Sequence, residues 1–226
     1  MDLYAQVLVS GLLLGGVYAL ISIGLNLIFG VVRIINFAHG EMVMLSMYLT
    51  FWLYHFFGFD PYLSALIVLP VMFAFGFMFQ LFVVQPILST SATMKIFTTV
   101  GISLLLQNLA LIMWKGDFRS VQTSYSMSSF EVFEIIVSVP RFVAFCTALA
   151  SIVLLYYFLK YTYVGKALRA IVEDHSVARL MGVSVEKHYL FAFGLGTMFT
   201  ALGGVLLVPF SSVYPTVGIT YTLVAF

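Results

Sequence analysis

Three polar side chains that could do chemistry stand in front of a long apolar run, in the sequence N-F-A-H-G-E (36–41). They are Asn36, His39 and Glu41. His39 and Glu41 are metal-ligand types, but H-x-E lacks the second histidine and the helical spacing of a zinc-protease motif. Ionisable residues at a membrane also form proton relays. The third interpretation is a broken-helix or re-entrant turn, which either only caps the following helix or also lines a solute path.

The composition indicates that these residues belong to a membrane protein. Hydrophobic residues make up 62% of the 226 residues and charged residues only 8%, against roughly 25% charged residues in soluble domains. The bilayer is therefore the solvent for most of the chain. The net charge of +1 provides no basic surface for nucleic acid. The single cysteine, Cys146, has no second cysteine for an internal disulfide.

Uncharged windows long enough to cross a bilayer predict the helices that position the polar residues. The window 61–94 would make a helix of about 51 Å, too long for a core of about 30 Å. We expect it to break within 85–94, where Pro86 and several Ser and Thr residues lie. The sequence predicts an all-α polytopic transmembrane bundle with at least six spanning helices, in one domain over 1–226. The windows are 3–32, 42–59, 61–94, 96–114, 142–159 and 188 onward.

The last residues form a short apolar run behind a loop. The segment 209–218 contains two prolines and a glycine and is predicted to be a loop. The run 219–226 is too short to cross a bilayer as a helix. It either lies at the membrane interface or belongs to a longer protein, and we expect the second: a bundle truncated at its C-terminus.

The distribution of basic residues predicts the orientation of the chain. With the N-terminus outside, most lysines and arginines fall in inner loops, and the 160–187 loop contributes most of them. The inner set is Arg33, Lys95, Lys160, Lys166, Arg169, Arg179 and Lys187, and the outer set is Lys115, Arg119 and Arg141.

Two connections are long enough to have a function of their own. In the outer loop 115–141, alternation around Glu131 predicts a short strand or hairpin arm. In the inner loop 160–187, an apolar stripe opposite charged residues predicts one amphipathic helix over 166–182, with Gly182 at its C-cap and Ser184 as the next N-cap. Such a helix lies on a membrane surface or inserts into a groove of a partner, and its mixed charges favour the partner. The stripe is Leu168, Ile171, Val172, His175, Ala178 and Met181.

Several stretches, in this order along the chain, resemble permease subunits of bacterial branched-chain amino acid ABC importers. They are G-L-N-L-I-F-G-V (24–31), I-I-N-F-A-H-G-E-M (34–42), G-I-S-L-L-L-Q-N (101–108) and G-K-A-L-R-A-I-V-E-D-H-S-V-A-R-L-M-G-V (165–183). The resemblance implies one half of a transmembrane pore in the bacterial inner membrane. Its implied partners are a second permease subunit, two cytoplasmic ATPases that bind ATP and Mg, and an external solute-binding protein.

The resemblance also implies roles for particular residues. The solute-path candidates are Asn36, His39, Glu41, Gln107 and Asn108, and the ATPase coupling loop contains Arg169, Glu173, Asp174, Ala178 and Gly182. Ser176 departs from the wider superfamily, which often has glutamate there. Because Gln107 and Asn108 point about 100° apart on a helix, one is expected on the path and the other against a neighbouring helix.

Other functional classes leave weaker traces. The 226 residues contain no G-x-x-x-x-G-K-[ST] phosphate loop, so we expect ATP to bind on other subunits and no cofactor on this chain. An ion-coupled secondary transporter or channel is the main alternative, but the windows 3–32 and 96–114 contain no charged residue. An intramembrane enzyme would need an activated nucleophile, and only Ser46, two turns after His39, is placed for that. We expect neither a catalytic nor a metal site.

Overall fold

The computed structural model describes residues 2–132 and 135–226, and long apolar helices dominate it. The predicted all-α polytopic class is confirmed. The membrane-length helices are α1 (Asp2–Val32), α2 (His39–Phe57), α3 (Pro61–Phe79), α5 (Ala92–Trp114), α6 (Val139–Tyr161) and α9 (Val185–Leu207). The short elements are α4 (Gln85–Ile87), β1 (Ser129–Val132), β2 (Ile135–Ser138), α7 (Tyr163–Glu173), α8 (His175–Leu180) and α10 (Val217–Ala225).

Within the described residues, five helical segments are long and apolar enough to cross a membrane. They correspond to α1, α3 with its extension to Ile87, α5, α6 and α9. The remaining predicted span, α2, is a helix of 19 residues and is less apolar because its first turn carries His39 and Glu41. Neighbouring helices bury most of that turn and of the following ones, so α2 lies inside the bundle.

The predicted break within 85–94 is confirmed. Helix α3 passes through a π-helical segment (Gln80–Val84) into α4, and the chain turns before Ala92. Ser91 begins the next helix, because its Oγ accepts a hydrogen bond from the Met94 N–H at 3.3 Å. A serine N-cap satisfies one of the free N–H groups at a helix start.

Helix α9 is the central helix and packs against α1, α2 and α3. Gly24 of α1 and Gly196 of α9 lie so close that a Cβ on either would come within 2.6–2.7 Å of the other's carbonyl oxygen. Only glycine permits this approach. Small residues at helix contacts strengthen packing in lipid, where the hydrophobic effect between helices is lost.

The alternation around Glu131 correctly predicts a hairpin. Strands β1 and β2 pair antiparallel, with Ser129 opposite Ser138 and Val132 opposite Ile135; Phe133 and Glu134 lie outside the described residues. The Gln6 amide holds the free edge of β2, since Nε2 donates to Ile136 O at 2.7 Å and Oε1 accepts from Ile136 N at 2.8 Å. The hairpin is thereby attached to the first turns of α1.

The end of the chain packs against the bundle rather than lying apart at the membrane interface, which was the less favoured alternative from the sequence. After the predicted loop, α10 packs against α2. Gly218 of α10 contacts Glu41 of α2, and a Cβ on Gly218 would lie 2.5–2.9 Å from the carboxylate atoms. On the other side of the contact, the Gly40 N–H donates to Thr222 Oγ at 3.1 Å. The glycines let α10 lie directly over the first turn of α2.

Candidate functional site

Asn36 shapes the turn that leads into α2, as the sequence predicts. Its side chain is fully buried, and its Oδ1 accepts a hydrogen bond from the Ala38 N–H at 3.1 Å. Its carbonyl oxygen accepts from the His39 N–H at 3.2 Å. Asparagine favours such turns because its side chain can bond to the backbone two residues on.

His39 joins three helices. Its Nε2 lies 3.1 Å from the Ile21 carbonyl oxygen of α1 and 3.1 Å from Thr200 Oγ of α9. A carbonyl oxygen only accepts, so Nε2 carries the ring proton, and Thr200 donates its own proton to Gly196 O at 2.9 Å. The His39 ring therefore holds α2 against α1 and α9, and only the backbone N–H of His39 bonds to Asn36.

Glu41 forms the centre of a buried polar cluster between α2 and α5. Its Oε1 accepts hydrogen bonds from Gln107 Nε2 at 2.7 Å and from Ser103 Oγ at 3.1 Å. Gln107 Nε2 also donates to Ser103 Oγ at 3.1 Å. Glu41 Oε2 is buried and has no hydrogen-bond partner among the described residues. We call Glu41, Ser103 and Gln107 the carboxylate cluster.

The positions of these side chains argue against the metal-site, proton-relay and enzyme interpretations of the sequence. Glu41 contacts α5 whereas His39 contacts α1 and α9, so the two side chains diverge and do not form a shared metal site or a direct proton relay. Ser46 donates its hydroxyl to Val43 O in its own helix at 2.7 Å, which leaves it without an activating base. Ser103 was missed in the sequence, although it lies one helical turn before Gln107.

Gln107 and Asn108 lie in different environments, as predicted, but they do not divide the two predicted roles between them. Gln107 is buried in the carboxylate cluster. Asn108 is exposed, and its Nδ2 donates to Leu104 O of its own helix at 2.7 Å. The predicted contact of one of the two with a neighbouring helix is therefore made by Gln107, and Asn108 lies away from the site.

A cavity of about 490 Å³ lies next to the carboxylate cluster, between α5 and α10. Ser103 and Gln107 form its polar wall together with Thr222. Asn36 and His39 are fully buried and are not among its lining residues. The rest of the wall is apolar: Phe37, Val100, Leu104, Ile219, Leu223 and Phe226.

The 160–187 loop contains two helices, so the prediction of one helix over 166–182 is wrong. Helix α7 ends at Glu173, and Asp174 is extended, with φ −153° and ψ 110°. Asp174 Oδ1 accepts from the Ser176 N–H at 2.7 Å and the Val177 N–H at 3.1 Å. Aspartate is a preferred N-cap, and here it starts α8. These backbone N–H donors lower the pKa of Asp174.

Much of the predicted apolar stripe is buried within this chain and cannot contact a partner. Leu168, Ile171 and Ala178 are 1%, 1% and 4% exposed and pack into the bundle. The proposal that Ala178 lies against a partner's groove is therefore wrong, because this chain already covers it. Val172 of α7 is 41% exposed, and three more exposed apolar residues are on or beside α8: Val177 at 54%, Leu180 at 87% and Met181 at 79%.

The predicted end of the α8 segment is confirmed. Gly182 has φ +84°, a left-handed conformation that glycine adopts most easily. The N–H of Val183 donates to Ala178 O at 3.0 Å, which closes the C-terminus. Of the other predicted coupling-loop residues, Arg169 reaches Lys160 O at 3.4 Å, and Glu173 is exposed at the end of α7.

Arg33 links this loop to the turn before α2, a role that its sequence position does not indicate. It has φ +56°, unusual for a residue other than glycine. Its N–H donates to Phe29 O at 2.8 Å, and its guanidinium donates to Val172 O at 3.1 Å. A cation at the C-terminal carbonyls of α7 is favoured by the helix dipole.

The fold and the site together define a multi-pass helical membrane protein with a buried polar cluster beside an apolar cavity. Residues 7–226 match the family described as "Branched-chain amino acid transport system / permease component". The chain belongs to this family. It is a permease subunit of a transport system, which works with further subunits, and is not an enzyme. The resemblance seen in the sequence is confirmed.

Similar proteins carry corresponding names. The high-affinity branched-chain amino acid transport system permease protein LivH of Salmonella typhimurium is 26% identical over 242 residues, covering 99% of this chain and 77% of its own. BraD of Pseudomonas aeruginosa, described in the same words, is 26% identical over 239 residues, with the same coverage. A probable branched-chain amino acid transport permease protein LivH of Methanocaldococcus jannaschii is 29% identical over 231 residues, covering 96% and 70%. No solved structure matches.

Proposed function

We propose that this chain forms one half of the transmembrane pore of an ATP-driven ABC importer for branched-chain amino acids or related small solutes. The observation that carries this proposal is the carboxylate cluster beside an apolar cavity in a chain of the permease family. A polar group inside a membrane bundle is costly and commonly marks a solute or ion pathway. The names of the relatives support the solute class.

The proposed partners are a second permease subunit, two cytoplasmic ATPases that bind ATP and Mg, and an external solute-binding protein. The exposed apolar residues Val177, Leu180 and Met181 support an ATPase contact, because such a patch on a loop is typical of a protein interface. The proposed coupling loop also contains Arg169 and Glu173 of α7, the α8 N-cap Asp174, and Gly182 at the end of the α8 segment. We call Val177, Leu180 and Met181 the α8 patch.

The contacts around α7 offer a route from the α8 patch to the carboxylate cluster. Leu168 and Ile171 anchor α7 in the bundle, and Arg33 bonds to the Val172 carbonyl. Arg33 is followed by the Asn36 turn, and the turn leads to Glu41 in the first turn of α2. A displacement of α8 by an ATPase would therefore reach the cluster through a few directly bonded elements.

The proposed location is the bacterial inner membrane, with the N-terminus and the 115–141 loop outside and the 160–187 loop inside. Single cysteines in the two loops, in a Cys146→Ala background, test this orientation with a thiol reagent that does not cross membranes. We expect labelling of the 115–141 loop in intact cells. Labelling of the 160–187 loop under the same conditions would show that the orientation is reversed.

Co-purification tests the importer assignment. The full-length tagged permease is extracted in mild detergent, and its bound partners are identified by their sequences. We expect ATPases with a G-x-x-x-x-G-K-[ST] loop and a second permease subunit. The ion-coupled alternative predicts a permease purified without ATPases and uptake that collapses when an ionophore removes the ion gradient. That result would overturn the proposal.

A further inference from the structure

The polar wall of the 490 Å³ cavity presents hydrogen-bond acceptors. Ser103 and Gln107 both donate to Glu41 Oε1, and Thr222 donates to Gly218 O at 3.0 Å. The hydrogen bonds of Gln107 run through Nε2, so its Oε1 remains an acceptor. Behind this wall lies Glu41 Oε2, buried and without a partner among the described residues. A few acceptors at one side of an otherwise apolar wall favour a ligand that carries donors at one end and is apolar at the other.

The contacts of Glu41 keep its charge close to this wall. Gly218 packs against the carboxylate from the α10 side, and the bonds from Gln107 and Ser103 hold Oε1 toward α5. A buried carboxylate with one free oxygen is costly unless a positive group compensates its charge or it takes up a proton; the thiol-reagent experiment below distinguishes the two. Within the described residues, the only salt bridge joins Arg179 and Glu186, so Glu41 has no cationic side chain as its partner there.

We propose that the cavity is a solute subsite for a small molecule with an ammonium group and an aliphatic side chain. The ammonium group lies against Ser103 and Gln107, and Glu41 behind them supplies the counter-charge. The aliphatic part packs on the apolar wall, which includes Phe37 and Leu104. This subsite rests on the proposed function and adds the residues that recognise the solute.

Charged thiol reagents test the electrostatic part. Leu104 lines the cavity, so Leu104→Cys is made in full-length Cys146→Ala permease within its assembled complex in membrane vesicles. The labelling rates of aminoethyl and sulfonatoethyl methanethiosulfonate are compared with and without Glu41→Gln. Glutamine retains the acceptor for Ser103 and Gln107 and removes the charge. We expect Glu41→Gln to lower the cation-to-anion rate ratio at least tenfold, the effect of a unit charge within about 10 Å at an effective dielectric constant of about 20.

A second cysteine provides the control. Ile112 lies on α5 and is 79% exposed, and it is not among the residues that line the cavity. Glu41→Gln should change the rate ratio at Ile112→Cys much less than at Leu104→Cys. An equal change at both positions, or no change at Leu104→Cys, overturns the subsite.

Protection by solute tests occupancy. Leucine should slow the reaction of Leu104→Cys with neutral methyl methanethiosulfonate, and 4-methylpentanoate, which is leucine without its ammonium group, should not. Leucine uptake by the same vesicles is measured in parallel. ATP-driven uptake of leucine without protection of Leu104→Cys would contradict the subsite. Equal protection by leucine and 4-methylpentanoate would contradict it as well. Absence of ATP-driven uptake in the unmodified complex contradicts the proposed function instead.

Discussion

Replacing Gln107 by leucine should weaken both stability and transport, whereas the same change at Asn108 should do neither. Gln107 Nε2 donates to the buried Glu41 carboxylate at 2.7 Å, and a hydrogen bond to a charged group contributes roughly 1.5–3 kcal/mol. Leucine has a volume similar to that of glutamine and suits the apolar part of the cavity wall. The lost hydrogen bond therefore determines that the change in stability is unfavourable. Asn108 is exposed and bonds only to Leu104 O of its own helix, and such surface changes usually stay within about 0.5 kcal/mol.

The assay is thermal unfolding of the purified complex in detergent, together with solute uptake in vesicles. A loss of about 2 kcal/mol lowers Tm by roughly 4–8 °C for a chain of this size. We therefore expect Gln107→Leu to lower Tm by that amount and to reduce uptake, with Asn108→Leu as the matched control close to wild type. Equal shifts for the two variants would refute the assignment of Gln107 to the carboxylate cluster.

The apolar windows predicted the helices because a bilayer requires long uncharged segments, and this constraint is local in sequence. Pro86 and Gly182 also act locally, so the break after α4 and the left-handed end of α8 were predictable. The partners of Glu41 were not predictable in the same way. Ser103 and Gln107 are 62 and 66 residues away from it, and only tertiary packing brings them together.

The errors in the 160–187 loop have a physical cause. An amphipathic period shows that a helix has an apolar face, but not whether its own chain or a partner covers that face. Leu168 and Ile171 turned out to pack into the bundle. The break between α7 and α8 had a signal, because Asp174 is a strong N-cap residue, but the apolar stripe continued across it. Arg33 gave no signal, because only the folded chain shows its contact with Val172 O.

Further predictions concern the coupling route. Leu180→Asp and Met181→Asp should each weaken ATPase binding in a pull-down by about tenfold, as hot-spot losses do. Glu173→Ala on the polar side should have little effect. Unchanged binding in the two aspartate variants would exclude the α8 patch as the ATPase contact. Arg33→Gly relieves a left-handed backbone, which stabilises the fold by up to about 1 kcal/mol, but it removes the hydrogen bond to Val172 O. We therefore expect Tm to stay near wild type while the amount of solute imported per ATP falls, with Arg33→Lys as the milder comparison. An unchanged ratio of solute to ATP would exclude this route. Asp174→Ala should reduce ATPase binding and Asp174→Asn, which keeps the cap acceptor, should not. The pKa of Asp174 is lowered, so its capping contribution is present above the unfolded-state pKa of about 3.9 and is lost only as pH falls through the lower folded-state value. ATPase binding should therefore not depend on Asp174 ionisation between pH 8 and 6. A decline of ATPase binding over this range in wild type but not in Asp174→Asn would contradict this.

ATP-driven uptake of leucine tests the central claim most directly. The full-length permease is reconstituted in proteoliposomes with its co-purified subunits and the solute-binding protein, and labelled leucine is followed with and without ATP and Mg. We expect uptake that requires ATP, persists when ionophores remove every ion gradient, and falls strongly in Glu41→Gln. Uptake that proceeds without ATP along an ion gradient, or that is unchanged in Glu41→Gln, would contradict it.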